Sequence, residues 1–345
     1  MRFRLVLVGF GNVAQALAKI LVQKRKYLSR NFNLEYKVVA IADTVKGSVM
    51  IERGLDLGRL LSLVREKGSL NDYRGAVRGL SSVEMIKRTE ADVLVETTWT
   101  NLKDGEPGLT HIKTALNHGL HVVTTNKGPI ALAYYELASL ARQKGRQLRF
   151  EGTVLSGTPV ISLATDALAG SEINSIRGIL NGTTNYILTE MEAGRSYNQA
   201  LRMAQKLGYA ESDPSADVEA WDPAAKITIL ANALMDGKLK LSEVRREGIA
   251  GITPGDMRDA GSRGRRIKLI AKAFWDKGEI KAQVVPERLP EDDLLSHVSG
   301  VLNSVIFSTD VQPDIAIIGP GAGADSAGYA LLSDLLTLKR TPNER

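Results

Sequence analysis

Residues 3–8 alternate apolar and polar positions and then run apolar, the pattern of a strand buried in a parallel sheet. Residues 15–28 then place apolar side chains at helical spacing. Similar patterns follow as far as residue 150, with strands predicted at 36–42, at 92–96 and after His121, and helices at 109–118 and 131–144. This alternation predicts an α/β domain built on a doubly wound parallel sheet of the Rossmann type.

The pattern changes near Glu151, where we place a domain boundary. The second half mixes the two periodicities, with helices predicted at 160–168, 186–193 and 197–207 and strands at 173–180, 282–285 and 304–309. This order is typical of an α+β domain. Two other segments are predicted to be helical, namely the polar stretch 46–90, apart from a glycine-containing excursion over 54–79, and the basic run 263–268 (RGRRIK), interpreted as a solvated helix face.

The composition of the chain excludes several classes of function. A chain of 345 residues with 43% hydrophobic and 24% charged residues suits a soluble protein of two domains. The net charge of +6 is spread without an aromatic-interleaved basic run, so no nucleic-acid partner is expected. No apolar stretch suits a membrane span or a signal peptide, so we expect a cytoplasmic protein. The absence of cysteine excludes disulfides, thiolate metal sites and cysteine nucleophiles.

The first predicted strand runs directly into a G-x-G-x-x-A turn that opens a helix. In this context the first glycine permits a tight turn, the second lets the backbone approach a pyrophosphate, and the helix N-terminus supplies N–H groups for it. Strand, turn and helix together predict a dinucleotide site. Its expected cofactor-binding residues are Gly9, Phe10, Gly11, Asn12 and Val13.

Asp43 ends the second predicted strand, where an acid can bind a ribose diol and repel a 2′-phosphate. This residue favours NAD. Ala14, in place of a third glycine, and the nearby Lys46 favour NADP instead. We retain both coenzymes with a lean to NAD, and a plain turn role for Asp43 stays open.

Two later strand ends should lie on the same rim as the glycine turn, because ligands of open α/β sheets bind at the carboxyl ends of the strands. Thr97 and Thr98 follow the strand at 92–96 and are expected to contact the cofactor. Lys127, in NKGP, follows the next strand and is predicted to be held in a tight turn. It is either a site residue or a lysine paired with a helix residue.

Residues 208–226 (GYAESDPSADVEAWDPAAK) hold five carboxylates and one lysine. Asp222 stands before Pro223, so we expect Asp222 to cap a helix that begins at the proline. Asp222 and Lys226 are then one turn apart on one helix face. They form either a surface cap with an ion pair or a carboxylate and an ammonium that hold a zwitterionic substrate.

Six motifs occur in order along the chain, namely GFGNVA, NKGP, EGTVLSGTP, RGILNGTTNYIL, GYAESDP…DPAAK and GPGAG. In this order they resemble homoserine dehydrogenase, and the resemblance runs through nearly the whole chain. RGILNGTTNYIL and the GYAE…D-x-x-x-K stretch are highly specific to that family. The chain resembles its short form, which lacks a C-terminal regulatory domain.

The resemblance implies NAD(P)-dependent interconversion of L-homoserine and L-aspartate 4-semialdehyde, a step of threonine, methionine and isoleucine biosynthesis. It also implies a homodimer formed by the sheet of the second domain. The expected organisation is a dinucleotide-binding domain over 1–150, a substrate-binding and dimerisation domain over 151–317, and a C-terminal segment, 318–345, that returns to the first domain.

Site roles also follow from the resemblance. Lys127 and Lys226 correspond to the lysines near the reacting oxygen, and Lys127 also borders the cofactor. Glu211 corresponds to the glutamate that holds the substrate amino group, and Asp222 to the aspartate at its hydroxyl. The loop residues Asn181, Gly182 and Thr183, with Tyr209, are expected to bind substrate, and Gly321 and Gly323 of GPGAG to approach the cofactor. A Na⁺ or K⁺ ion is implied at Glu151, Val154, Ser156 and Thr158.

The sequence departs from the family pattern in two places. Trp99 stands where family members commonly have a small residue, and Ser156 and Thr158 stand where others often have small or apolar ones. Asp213, Asp217 and Glu219 are interpreted as turn and surface residues. An aldehyde-oxidising dehydrogenase of the semialdehyde type needs a cysteine nucleophile, which this chain lacks. A catalytically inactive NAD(P)-binding sensor remains as the alternative.

Overall fold

A computed structural model describes residues 2–340 of the chain. The described chain divides into two compact units: one runs up to Gly157 and resumes at Gly323, and the other spans Thr158–Ala322. The boundaries expected from sequence, after 150 and 317, fall a few residues before these divisions. Among residues 2–340, no helix is both long and apolar enough to cross a membrane.

The first unit alternates strands and helices, as its hydrophobic pattern predicted. Its elements up to Gly157 are β1 Arg2–Val8, α1 Asn12–Phe32, β2 Glu35–Asp43, β3 Gly47–Met50, α2 Leu57–Lys67, β4 Val77–Arg78, α3 Ser82–Arg88, β5 Val93–Glu96, α4 Gly108–Asn117, β6 His121–Thr124, α5 Lys127–Gln143 and β7 Leu148–Arg149.

Seven strands form the sheet of this unit in the order β4-β3-β2-β1-β5-β6-β7. Strands β2, β1, β5, β6 and β7 are parallel, which confirms the doubly wound prediction. The strand order reverses between β1 and β5, so the loops after these two strands meet at the crevice where such sheets bind ligands. The glycine turn follows β1, and Thr97 and Thr98 follow β5.

The second unit combines a mixed sheet with helices, as expected for an α+β fold. Its elements are α6 Val160–Ser162, β8 Ile173–Ile179, α7 Gly182–Glu192, α8 Tyr197–Lys206, α9 Ser215–Val218, α10 Trp221–Leu234, β9 Arg245–Arg246, α11 Pro254–Ser262, β10 Arg265–Asp276, β11 Glu279–Pro290, β12 Leu302–Thr309 and β13 Ile315–Pro320.

Six strands form this second sheet in the order β13-β12-β8-β10-β11-β9. Helix α10 packs against β8, β10 and β11, and its residues 222–232 are all buried. A helix that is buried all round has no solvated face on which an ion pair could sit. The position of Asp222 and Lys226 on α10 therefore already argues against a surface pair.

The last helix, α12 Ala324–Arg340, belongs to the first unit, as the resemblance implied. Leu331, Leu335 and Leu338 join the core formed by β1, β2 and α1. A Cβ on Gly328 would lie 2.8 Å from both the Ala16 Cβ and the Leu17 backbone nitrogen. Glycine at this position therefore lets α12 pack closely against α1.

Two predictions of local structure were wrong. The segment 46–90 is not helical throughout, because β3 and β4 extend the sheet antiparallel beyond β2. The run 263–268 is not a solvated helix face, because β10 begins at Arg265. Basic residues hid the strand pattern in this run, since the strand's apolar positions begin only at Ile267.

Lys268 lies in the interior of this sheet. Its side chain has no exposed surface, and its Nζ atom has no hydrogen-bond partner among the described residues. The nearest carboxylate oxygen, Glu192 Oε2, is 3.8 Å away, too far for a hydrogen bond. Burial lowers the pKa of Lys268, although the Glu192 charge acts to raise it.

Replacing Lys268 with Met should stabilise the protein. A buried polar group without a hydrogen bond costs roughly 1–3 kcal/mol, so Lys268→Met should raise the free energy of unfolding by about 1–2 kcal/mol at pH 7. Because the folded state binds the proton more weakly than the unfolded state, the cost is greatest at neutral pH. It should shrink as the pH rises toward the ordinary lysine value of 10.5. Thermal melts at several pH values measure both effects.

Lys238→Met is the control, because Lys238 is an exposed lysine of the second unit. Its melting temperature should change little at any of these pH values. A Lys268→Met protein less stable than wild type at pH 7 would show that the attraction to Glu192 outweighs the cost of burial.

Candidate active site

The glycine turn after β1 is shaped by its contacts with the strand end at Thr97. Gly9 has a φ of +86°, and a Cβ there would lie 2.7 Å from both the C and O atoms of Thr97. The Thr97 hydroxyl donates to the Gly9 carbonyl at 3.0 Å. A Cβ on Gly11, in contrast, would meet no described atom within 4 Å, and α1 begins without a side-chain cap. Open space before an uncapped helix N-terminus suits a bound phosphate.

The other predicted residues of this turn contribute in different ways. The Phe10 side chain is fully buried in the core, so only its backbone is available at the turn. Asn12 is exposed and Val13 packs partly on the core. Any pyrophosphate contacts at this turn would therefore come mainly from backbone N–H groups.

Asp43 ties the end of β2 to the glycine turn. Its Oδ2 accepts from the Phe10 backbone N–H at 2.7 Å, and its Oδ1 accepts from the N–H groups of Val45 and Lys46. Burial acts to raise the pKa of Asp43, but these three hydrogen bonds hold it below its ordinary value. Lys46 Nζ lies 3.9 Å from Oδ1. Asp43 is thus an ionised carboxylate that shapes the turn, and its contact with a ribose stays a prediction.

Lys127 is the first residue of α5, and not part of the tight turn that NKGP suggested. Asn126 is the cap of this helix, with its Oδ1 accepting from the Gly128 N–H at 3.1 Å. A cation at a helix N-terminus is disfavoured by the helix dipole. Helix stability therefore does not explain a lysine at this position, and its role at the site stays a prediction.

Asn126 also connects Lys127 to the rim beside it. Its Nδ2 donates to the Thr98 hydroxyl oxygen and to the Trp99 carbonyl, each at 3.3 Å. The Trp99 side chain is 64% exposed, so it does not pack in the core of the first unit. The capping role of Asn126 was not predicted, although an Asn directly before Lys-Gly-Pro is a recognisable helix cap.

The predicted cation site begins at a buried pair of carboxyl groups. The Glu151 N–H donates to Asp334 Oδ2 at 3.0 Å, and both residues are buried. Burial and then the Glu151 charge raise the pKa of Asp334 well above its ordinary value. Leu155 and Ser156, next to Val154, follow with left-handed φ values of +52° and +53°. Two buried carboxyl groups offer oxygen ligands to a cation, but Thr158 belongs to the second unit, so the ion stays a prediction.

The second unit contains a buried ion pair where the sequence suggested one. Lys226 Nζ lies 2.7 Å from Asp222 Oδ2 and donates to the Leu180 carbonyl at 2.7 Å. Both charged side chains are almost fully buried. A buried pair costs desolvation that only good geometry repays, so it is weak evidence for a purely stabilising role.

Asn181 organises the surroundings of this pair. Its Nδ2 donates to Asp217 Oδ1 at 2.6 Å and to Asp222 Oδ2 at 2.9 Å. Its Oδ1 accepts from the Thr184 N–H at 2.9 Å and so caps α7. Asp217 was interpreted as a turn or surface residue, and that was wrong because Asn181 binds it to the cluster. No local pattern in the sequence indicated this contact, because Asn181 lies 36 residues earlier in the chain.

The capping prediction for Asp222 was also wrong. Helix α10 begins at Trp221, and its cap is Ala220, which has a left-handed φ of +65°. Asp222 is therefore inside the first helical turn, and four residues still separate it from Lys226 on one face. The left-handed residue turns the chain into α10 without a polar cap, which leaves the Asp222 carboxylate to Lys226 and Asn181.

The remaining predicted substrate residues differ in how they contact their surroundings. The Thr183 hydroxyl donates to the Tyr209 carbonyl at 2.6 Å, and the Tyr209 ring is 5.1 Å from that of Tyr186. Gly182 opens α7. The Glu211 side chain is exposed, and no hydrogen bond or ion pair joins it to the described cluster residues. Its binding role stays a prediction.

The GPGAG glycines fall on the two sides of the unit division. Gly321 packs against the Asn303 side chain within the second unit. Gly323, with a φ of +120°, precedes α12 in the first unit, and its carbonyl accepts from the Ser156 hydroxyl. Packing and backbone conformation account for both glycines, and their contact with a cofactor stays a prediction.

A doubly wound sheet with a dinucleotide turn, joined to a separate unit with a buried Lys–Asp pair, defines an NAD(P)-dependent dehydrogenase. Comparison with known proteins identifies the family within this class. A sequence model of the homoserine dehydrogenase NAD-binding domain matches residues 9–151, and a homoserine dehydrogenase model matches residues 159–336.

Relatives align over nearly their full length. The chain is 41% identical to an NAD(+)-dependent homoserine dehydrogenase of Pseudomonas canavaninivorans over 99% of this chain and 98% of the relative. It is 44% identical to a homoserine dehydrogenase of Methanocaldococcus jannaschii over 96% and 97%. A solved structure of a putative homoserine dehydrogenase from Archaeoglobus fulgidus superposes with a TM-score of 0.87 at 37% identity, covering 98% and 99%.

The chain belongs to the homoserine dehydrogenase family. Its activity is the NAD(P)-dependent interconversion of L-homoserine and L-aspartate 4-semialdehyde, an oxidoreduction at a CH–OH group in amino-acid biosynthesis. The comparisons give no support to an inactive NAD(P)-binding sensor.

Proposed function

We propose that this enzyme prefers NAD over NADP, exchanges the substrate hydroxyl proton through Lys226 with help from Lys127, and works as a homodimer. The observation that carries the chemistry is the buried Lys226–Asp222 pair, held by Asn181. The ionised Asp43 at the end of β2 carries the coenzyme preference.

Lys226 suits proton exchange because it is held from two sides. Asp222 Oδ2 and the Leu180 carbonyl fix its Nζ, each at 2.7 Å. A lysine held in this way loses little conformational entropy when it meets a substrate oxygen. As a neutral amine it takes the hydroxyl proton when homoserine is oxidised, and as an ammonium it returns that proton when the aldehyde is reduced.

Lys127 acts from the cofactor-binding unit. The Gly9–Gly11 turn with the first turn of α1 would hold the pyrophosphate, and Asp43 the ribose. When bound, the nicotinamide accepts or supplies the hydride. The Lys127 ammonium, placed by the Asn126 cap, stabilises negative charge on the reacting oxygen.

The amino group of homoserine needs carboxylates, and two candidates are present. Asp217 is fixed beside Asp222 by Asn181. Glu211 is exposed, and only the family resemblance assigns it to the substrate. We propose that Asp217 binds the ammonium within the cluster and that Glu211 joins it when substrate is present. A charge-paired ammonium leaves the hydroxyl end of the substrate for Lys226.

One face of the second sheet supports a homodimer. Leu302 and Ile318 are diagonal neighbours on adjacent strands, since Ser304 pairs with Ile318, and they are 41% and 47% exposed. The half-buried Phe274 lies on the same face through its shared partner, Ser175. Exposed apolar side chains on one sheet face suit a second copy of the chain.

Removing either lysine should slow turnover sharply. Lys127→Ala and Lys226→Ala should each lower kcat by roughly 10²-fold or more, as the loss of a general acid–base group usually does. Steady-state kinetics in both directions measures this. Lys103→Ala and Lys206→Ala, at exposed positions of the two units, are the controls. Near-full turnover in both active-site variants would contradict the proposal.

The coenzyme preference can be tested through Asp43. Wild-type kcat/KM should be higher with NAD⁺ than with NADP⁺. Asp43→Asn keeps an acceptor for the Phe10 N–H but removes the charge, so the NAD⁺/NADP⁺ ratio should fall by about tenfold. Asp72→Asn, an exposed acid of the same unit, should leave the ratio unchanged. A wild-type preference for NADP⁺ would overturn this part of the proposal.

The oligomeric state follows from the mass in solution. Sedimentation should give about twice the chain mass of 37.4 kDa. Ile318→Lys should shift the protein toward the monomer because it puts a charge on the proposed interface. Tyr27→Lys, at an exposed position of the first unit, should not. A monomeric wild type, or a dimer indifferent to Ile318→Lys, would contradict this interface.

A further inference from the structure

Glu96 is a buried carboxylate in the first unit that neither the sequence motifs nor the proposed mechanism uses. It ends β5, and its side chain has no exposed surface. No lysine or arginine among the described residues lies within 4.0 Å of it, and the His111 ring nitrogen Nδ1 is 3.5 Å away without a hydrogen bond. A buried carboxylate is costly unless hydrogen bonds compensate it.

Two threonines supply those hydrogen bonds from the two strand ends of the rim. Oε1 of Glu96 accepts from the Thr98 N–H at 3.1 Å and from the Thr98 hydroxyl. Oε2 accepts from the Thr124 hydroxyl at 3.1 Å. Thr124 ends β6, so this one carboxylate links the ends of β5 and β6.

The charge of Glu96 fixes which group donates and which accepts in these hydrogen bonds. An ionised carboxylate can only accept, so the Thr98 hydroxyl must donate to it. The single proton of the Thr124 hydroxyl faces two acceptors of Glu96, Oε2 at 3.1 Å and the backbone carbonyl at 3.0 Å, so this hydroxyl also donates to Glu96. The oxygen of each hydroxyl is then left to accept, and Asn126 uses both. Its backbone N–H donates to Thr124 Oγ1 at 3.0 Å, and its Nδ2 donates to Thr98 Oγ1 at 3.3 Å.

Asn126 in turn caps α5 at Lys127. With its Nδ2 committed to Thr98, its Oδ1 faces the Gly128 N–H, which orients the amide. We propose that Glu96 is a positioning residue: through Thr98, Thr124 and Asn126 it sets the direction of the hydrogen bonds that place Lys127 at the start of α5. This inference rests on the role proposed for Lys127.

A double-mutant cycle tests the inference. Glu96→Gln is nearly isosteric, but its amide N–H₂ replaces an acceptor by a donor. It should lower kcat by about tenfold, the equivalent of one hydrogen bond, and leave the KM for homoserine within twofold. In a Lys127→Ala background the same change should alter kcat less than twofold, because the residue it positions is absent.

Two further variants separate the relay from general destabilisation. Thr124→Val should reproduce the loss, and Thr124→Ser, which keeps the hydroxyl, should restore most of the activity. Glu90→Gln, at an exposed acid just before β5, is the matched control and should change nothing. Thermal melts of all variants should stay close to wild type.

The outcomes are distinct. Full activity of Glu96→Gln, or an equal loss of kcat with and without Lys127, would overturn the positioning role while leaving the role of Lys127 intact. Full activity of Lys127→Ala alone would contradict the proposed role of Lys127, and the inference with it. A loss of activity in Thr124→Ser as large as in Thr124→Val would show that the hydroxyl relay is not used.

Discussion

The buried contact between Lys226 and Asp222 is the constraint on which the second unit depends. Two opposite charges inside a fold are tolerated only when every polar atom around them is matched. Here the Leu180 carbonyl and the Asn181 amide supply the matching contacts, and both come from the end of β8. The strand β8, the start of α7 and the first turn of α10 are therefore held in one arrangement by the same few polar atoms.

In the first unit, as in the second, an asparagine both caps a helix and holds a neighbouring group. Asn126 caps α5 with its Oδ1 and donates with its Nδ2 to the neighbouring rim, as Asn181 caps α7 and donates to Asp217 and Asp222. A capping asparagine can play both roles, because its Oδ1 accepts from a backbone N–H of the helix while its Nδ2 donates to an adjacent side chain. In each unit the proposed reactive lysine is thus placed by the backbone of a capped helix or strand end, and not by a flexible loop.

Much of this arrangement could be predicted from the sequence, and the failures have physical reasons. Short apolar strands, the glycine turn and the order of motifs identified both folds and the family. Lys268 was misplaced because its charge suggested solvent, while its burial is decided by strands distant in sequence. Asp217 was misjudged because only the fold brings Asn181 to it. Local patterns predict elements, whereas hydrogen bonds across 36 or more residues depend on tertiary structure.

Coenzyme choice shows how closely specificity is bound to the fold in this protein. In the proposed preference for NAD, Asp43 supplies the charge that disfavours a 2′-phosphate, and the same carboxylate accepts from the Phe10 N–H of the glycine turn. Its charge is maintained by the hydrogen bonds that shape the turn, so the two functions are inseparable at this residue. A change from NAD to NADP therefore requires more than removing a negative charge. It requires another acceptor for Phe10, since a turn without one would lose the geometry that either coenzyme needs.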